Sequence, residues 1–208
     1  MARINNLFDS GQGKLGNLVF YKVKGQGIVR TKPEHFRDKK STAQLLQRKK
    51  LQVVNEFIGH FNGLIRKTYQ PEDEKRSSRS EAFSYNMRNA LKGVYPDIYI
   101  DKQKVLLSKG TLPLPVSVEL TSHPEGLLIR WKNGEEAIGK TAGDTLVLML
   151  LDENTKYCDY KFTDVSRTAG EYVWKLSTPP PYDTLPDVWI AFRNRQETQM
   201  SNSMYAGI

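Results

Sequence analysis

Apolar residues change their period along this chain, and each change marks an element. From residue 14 to 31 they alternate. Leu15, Val19, Tyr21 and Val23 share one parity, and Ile28-Val29 resumes the run after Gly25-Gln26-Gly27, which predicts a β-hairpin. Polar residues 32–40 follow, and Ser41 or Thr42 can cap a helix by accepting a bond from a free backbone N–H. From Ala43 to Lys67 the apolar positions Leu46, Val53, Val54, Phe57, Ile58, Phe61 and Ile65 recur at intervals of three and four, the spacing of an amphipathic helix. Gly59 and Gly63 weaken it by up to about 1 kcal/mol each against Ala and predict a bend or close packing there.

The charged, Ser-rich stretch Pro71–Ser80 reads as a flexible loop. A second helix is predicted from Ser80 to Leu91, with Phe83, Met87 and Leu91 on one stripe, Gly93 as a stop, and the first helix as its partner. Ile98–Leu107 predicts another strand, and Gly110-Thr111-Leu112-Pro113-Leu114-Pro115 the connection to a second domain. Beyond it, strand-like runs recur with turn signals between them: Val116–Thr121, Gly126–Lys132, Thr145–Leu151, Tyr157–Phe162, Glu171–Leu176, Asp187–Arg193 and Met200–Tyr205. The expected class is α+β, mainly β: a hairpin-plus-helices domain over 1–110 and a seven-stranded immunoglobulin-like or fibronectin type III-like sandwich over 111–208. Trp131, Trp174 and Trp189 are its expected large core residues.

Charge sharpens this division. The chain carries a net +8, yet residues 1–110 hold 22 Lys+Arg against 10 Asp+Glu, while 111–208 hold 9 against 13. A basic half can attract nucleic acid, anionic lipid or an acidic protein face, or serve only as a solvated surface. With 38% hydrophobic and 26% charged residues the balance is that of a globular protein, and no apolar run reaches the roughly 20 residues of a membrane span. The start Met1-Ala2-Arg3-Ile4-Asn5-Asn6-Leu7 lacks the apolar stretch of a secretory signal. Cys158 is the single cysteine and no Asn-x-Ser/Thr acceptor occurs, so a cytoplasmic location is expected.

Candidate chemistry is sparse. Gly11-Gln12-Gly13-Lys14-Leu15-Gly16 matches a dinucleotide-binding string, but that fingerprint needs a strand before it and a helix after it, and here a strand-like run follows; no cofactor is expected. His35, His60 and His123 lack metal-ligand spacing. Cys158 has no neighbour that would lower its pKa, and Glu135-Glu136 and Asp152-Glu153 fall in turn-like segments where solvated charges are the common outcome. The strongest signal is basic: Lys39, Lys40, Arg48, Lys49 and Lys50 around the first helix start, joined by Arg66 and Lys67. A helix N-terminus already carries partial positive charge, so cations there suit an anionic partner, or are compensated by Glu34, Asp38 or a neighbouring subunit. Phe20 and Tyr21 near Lys22 and Lys24 suit either base stacking or strand packing.

Gly13-Lys14-Leu15-Gly16-Asn17-Leu18-Val19-Phe20-Tyr21-Lys22, with Gly25, Arg30, Pro33, Thr42-Ala43-Gln44, Arg48, Phe83-Ser84-Tyr85-Asn86 and Ser108-Lys109-Gly110, resembles a bacterial family of about 200 residues catalogued as a domain of unknown function. The resemblance implies no activity, cofactor or catalytic residue. The helix start at Thr42 is also similar to those of phage-derived or structural proteins, which implies a phage- or mobile-element-related role. The expected function is a non-enzymatic interaction or assembly protein with a protein partner or self-association. The alternative is nucleic-acid binding by the seven basic residues, and no membrane or small-molecule partner is indicated.

Overall fold

The computed structural model describes residues 2–3, 12–33, 38–71, 76–135, 139, 141–176 and 185–207. The chain divides into two compact units, Met1–Ser41 and Thr42–Ile208. This replaces the division expected near Gly110.

The first unit is an antiparallel sheet of β1 (Ala2–Arg3), β2 (Gly13–Leu15), β3 (Leu18–Val23) and β4 (Gln26–Thr31), in the order β1-β4-β3-β2. Val23 pairs with Gln26, so the β3–β4 turn is Lys24-Gly25. Both residues have positive φ, 50° and 80°, as a two-residue primed turn requires. The expected turn, one residue later, placed Gln26 and Gly27 outside the strand they belong to. Gly13–Leu15 is a separate strand ahead of the hairpin, and Leu15 pairs with Leu18 rather than sharing a face with Val19.

The second unit opens with α1 (Thr42–His60) and α2 (Asn62–Thr68), which interrupt the single expected helix at Phe61, between the two glycines. Gly63 is a close-packing point: a Cβ there would lie 3.1 Å from the Tyr160 hydroxyl. The helix α3 (Ser78–Asn89) starts where the Ser77 hydroxyl accepts the Ser80 N–H at 3.2 Å. It runs directly into the hairpin β5 (Leu91–Val94) and β6 (Asp97–Ile100). The strand expected to reach Leu107 ends at Ile100, and a short 3-10 turn, Lys102–Lys104, follows. Asn86 then clamps the next segment to α3, its amide donating to the Leu106 carbonyl and its oxygen accepting the Leu106 N–H, each at 2.9 Å.

The remaining strands are β7 (Pro115–His123), β8 (Gly126–Asn133), β9 (Thr145–Asp152), β10 (Tyr157–Ser166), β11 (Glu171–Lys175), β12 (Asp187–Arg193) and β13 (Met204–Tyr205). They form two antiparallel sheets, β11-β8-β7 and β10-β9-β12-β13. One core unites them: Leu120, Leu127, Ile129, Trp131 and Trp174 from the first with Leu146, Leu148, Leu150, Val188, Ile190 and Phe192 from the second. The opposite face of the second sheet is buried too. Val147, Met149, Leu151, Trp189 and Ala191 pack with Val54, Phe57, Ile58, Phe61, Leu64 and Ile65 of the helices. The unit is therefore three layers deep, helices on sheet on sheet. Residue 110 falls inside it because the helices need that sheet face to bury their apolar stripe. Trp189 belongs to the helix-side core, with ring centroids 5.9 Å from both Phe57 and Phe61 and its indole N–H on the Lys102 carbonyl at 3.0 Å. The fold class is α+β, mainly β.

Candidate functional site

The first unit concentrates the basic charge. Met1–Ser41 holds nine Lys+Arg against three Asp+Glu, whereas Thr42–Ile208 holds 22 against 20. Within residues 12–33 no side chain is buried. Directly paired residues share a face of a sheet. Leu15, Leu18, Phe20 and Val29 therefore lie on one face and Val19, Tyr21, Val23 and Ile28 on the other. Leu15 is 68% exposed and Val23 45%. The Arg30 guanidinium lies 5.7 Å from the Tyr21 ring centroid. Lys14, Lys22, Lys24 and Lys32 are exposed around this apolar surface.

The seven basic residues expected to act together fall into three groups. Lys39 and Lys40 are exposed in the first unit, where the Lys40 N–H donates to Asp38 Oδ1 at 3.2 Å. Arg48, Lys49 and Lys50 lie on α1, the first exposed and the other two half-buried. They sit beyond the first turn, where the helix dipole has faded. The dipole argument for an anionic partner therefore does not apply to them. Arg66 and Lys67 end α2, and the Lys67 ammonium lies 5.7 Å from the Phe162 ring centroid. From Lys50 to His60 alone the helix rises about 15 Å, so the last two groups form separate patches.

Other candidates have structural partners. His123 Nδ1 accepts the Glu125 N–H at 3.2 Å, and the Cys158 thiol donates to the His60 carbonyl at 3.3 Å. His35 and Glu136 lie outside the described residues. Burial pushes the Cys158 thiol up to about 12. Asp152 ends β9 and accepts from Asn154 and Thr155 of the following turn, and the Thr155 hydroxyl holds its carboxyl below the usual range. Glu153 meets Lys102 at 3.2 Å, and Lys102 also meets Asp187 at 2.6 Å. Among the described residues no group of His, Cys, Asp or Glu could hold a metal ion, and no helix is long and apolar enough to cross a membrane.

Three concave regions stand out in the second unit. A cleft of about 220 Å³ has an apolar floor of Val53, Phe57, Ile98 and Leu151, with His60 and Glu153 at its rim. A second, of about 720 Å³, is lined by Arg76, Arg88, Tyr85 and the Lys109–Glu81 pair at 3.0 Å. Tyr85 and Lys109 belong to the stretches that carried the family resemblance. The third region is a pair of adjoining clefts, about 430 and 550 Å³, that share Gly143, Asn194 and Arg195.

Beside this last pair lies an arrangement that sequence reading missed. Arg167 is fully buried, its guanidinium carbon 3.9 Å from the Phe192 ring centroid and Nη2 donating to the Pro113 carbonyl at 2.8 Å. Asp144 Oδ2 lies 3.5 Å from the same nitrogen, and burial outweighs this attraction to raise the Asp144 carboxyl above its ordinary range. Both residues sit at turns, where sequence reading assigns charges to solvent.

A mainly β, α+β protein of stacked antiparallel sheets is thus the class that the fold defines. The chain belongs to a family of unknown function (DUF6266), whose model matches residues 10–207. No curated protein and no solved structure matches it.

Proposed function

We propose that this is a non-enzymatic interaction or assembly protein, in which the three-layered unit is a scaffold and the sheet of the first unit is the docking element. The observation that carries this is the absence of any buried side chain among residues 12–33. Ordering a residue costs about 1–2 kcal/mol of backbone entropy, so 22 residues cost tens of kcal/mol. Apolar burial at about 25 cal/mol per Å² is the main offset, and residues 12–33, half-buried at most, forgo much of it. A protein surface, or a second copy of the chain, seated on the exposed Leu15 and Leu18 would supply that burial. The order β11-β8-β7 facing β10-β9-β12-β13 supports a fibronectin type III-like sandwich, a frame that often serves adhesion and assembly. A cytoplasmic setting fits the lone, protonated Cys158.

The count of nine Lys+Arg against three Asp+Glu in the first unit favours a second reading, contact with nucleic acid through Lys14, Lys22, Lys24 and Arg30. Light scattering on a size-exclusion column, at low and high salt and with and without duplex DNA, separates the two. An oligomer or a partner complex that ignores salt and DNA and is lost in Leu15→Asp supports docking. A monomer that shifts onto DNA only at low salt, losing affinity by orders of magnitude between about 50 and 200 mM, supports the second reading. A monomer indifferent to DNA and to lysate proteins refutes both.

A further inference from the structure

We propose that the paired clefts at one end of the two sheets, between the 141–144 and 194–199 turns, bind a neutral polyhydroxylated ligand, a sugar or similar polyol. Asp144 lines the smaller cleft and is 4% exposed, and its Oδ2, 3.5 Å from Arg167 Nη2, has that ion pair but no hydrogen-bond partner. A buried acceptor left unmet costs about 1–3 kcal/mol or more when charged, so a donor at this position is strongly favoured. Arg195 and Gln196 stand on the same cleft with Gln199, all three exposed. The wall therefore offers a group that only accepts, a group that only donates, and two amides that do both.

That mixture matches hydroxyl groups, each of which donates and accepts at once. Charge points the same way. Asp144, Asp164 and Glu197 stand at or beside the two clefts with Arg167, Arg193 and Arg195, so acids and cations balance and neither a free anion nor a free cation is selected. The site is also held in shape before any ligand arrives. Asn194 Nδ2 donates to the Thr198 hydroxyl at 2.9 Å, and its Oδ1 accepts the N–H groups of Thr198 and Gln199 at 2.8 and 3.0 Å, fixing one turn. The Asp144 N–H on the Thr141 carbonyl at 3.0 Å and the Ser166 hydroxyl on the Ala142 carbonyl at 2.7 Å fix the other. Gly143 leaves the space beneath Arg195 open, a Cβ there meeting only the Arg195 side chain, Cδ at 3.9 Å and Nε at 4.0 Å.

Saturation-transfer NMR on the full chain tests this, with free glucose, galactose, mannose and N-acetylglucosamine as probes and inorganic phosphate as the charged control. Transfer to at least one sugar is expected, weakened about tenfold in Asp144→Asn and several-fold in Arg195→Ala or Gln199→Ala. The two exposed-wall variants keep the test valid should Asp144→Asn alter the fold. Lack of transfer to every sugar would mean that water alone satisfies Asp144 and would overturn the proposal. So would equal transfer in all three variants, or binding of phosphate in preference to the sugars.

Discussion

Leu148 and Met149 are neighbours in β9, both fully buried, and they point into different cores. Leu148 pairs with Ile190 between the two sheets, while Met149 pairs with Trp189 under the helices. Truncating a fully buried Leu or Met to Ala costs about 2–5 kcal/mol, lost transfer energy plus the cavity left behind. Taking about 3 kcal/mol and a urea slope of about 2 kcal/mol per M, each variant should unfold about 1.5 M earlier in urea. A sandwich with a solvated outer face gives a different pattern: Met149 would be a surface residue and its truncation would stay within about 0.5 kcal/mol, a shift of about 0.25 M. The assay is urea unfolding of full-length wild type, Leu148→Ala and Met149→Ala, followed by tryptophan fluorescence and by far-UV circular dichroism. Near-UV circular dichroism adds a local reading, because Trp189 should lose its fixed environment in Met149→Ala. A full shift for Leu148→Ala beside a negligible one for Met149→Ala would refute the three-layer arrangement and return the helices to a separate domain.

Three further outcomes follow from the geometry. With its pKa pushed up from 9.0 to about 12, the Cys158 thiolate fraction at neutral pH should be about a thousandfold below that of a free thiol, so the native protein should resist iodoacetamide until it is unfolded; rapid labelling of native protein would contradict the burial. Gly110→Ala places a Cβ 1.9 Å from the Met200 carbonyl and should cost more than about 3 kcal/mol by thermal unfolding, whereas Gly16→Ala meets open space and should cost only the roughly 1–2 kcal/mol of its left-handed φ of 57°. For Asp144 the carboxyl is raised, so the burial penalty is fully present above the raised value, shrinks as pH falls through it, and is gone below the ordinary 3.8. Wild type should therefore gain stability on Asp144→Asn during acidification through that window, while Arg167→Ala should lose about 3–5 kcal/mol at neutral pH by leaving Asp144 buried without its counter-charge. Parallel pH profiles for wild type and Asp144→Asn would reverse the assignment.

Elements with strong local signals were legible in the chain. Helix α3, the hairpin β7–β8 and the turn-bounded strands of residues 115–193 stand close to where periodicity puts them, because alternation and turn residues act over a few positions. The layer order was not legible to the same reasoning, although a clue was present. Leu146 to Leu151 and Val188 to Phe192 are unbroken apolar runs, and a strand packed on one side only must alternate. A run without polar positions needs cover on both faces, and with two amphipathic helices upstream the helices are the available cover. Reading those runs as ordinary sandwich strands is what placed the domain boundary at Gly110.

The charged end of the sheets was opaque for a different reason. Asp144, Arg167 and Arg195 are more than 20 residues apart and share no motif. Each stands beside a turn where a charge usually faces water. They converge because β9 pairs with both β10 and β12, so the turns at the Thr145, Ser166 and Arg193 ends of those three strands meet. Sequence spacing reports neighbours along the chain, and register across a sheet is set by side-chain parity and loop length together, which no single segment reveals. The basic sheet differs again: its charge was plain, but not the lack of any buried side chain among residues 12–33, since a hairpin with alternating apolar residues reads alike whether a core covers it or not. That ambiguity gives the sheet its functional weight. Apolar residues in a pattern suited to burial, left at the surface among lysines, are the expected composition of a face that another molecule completes. The Leu15→Asp variant is the direct probe, since it should remove association while leaving the unfolding of Thr42–Ile208, followed by its three tryptophans, unchanged.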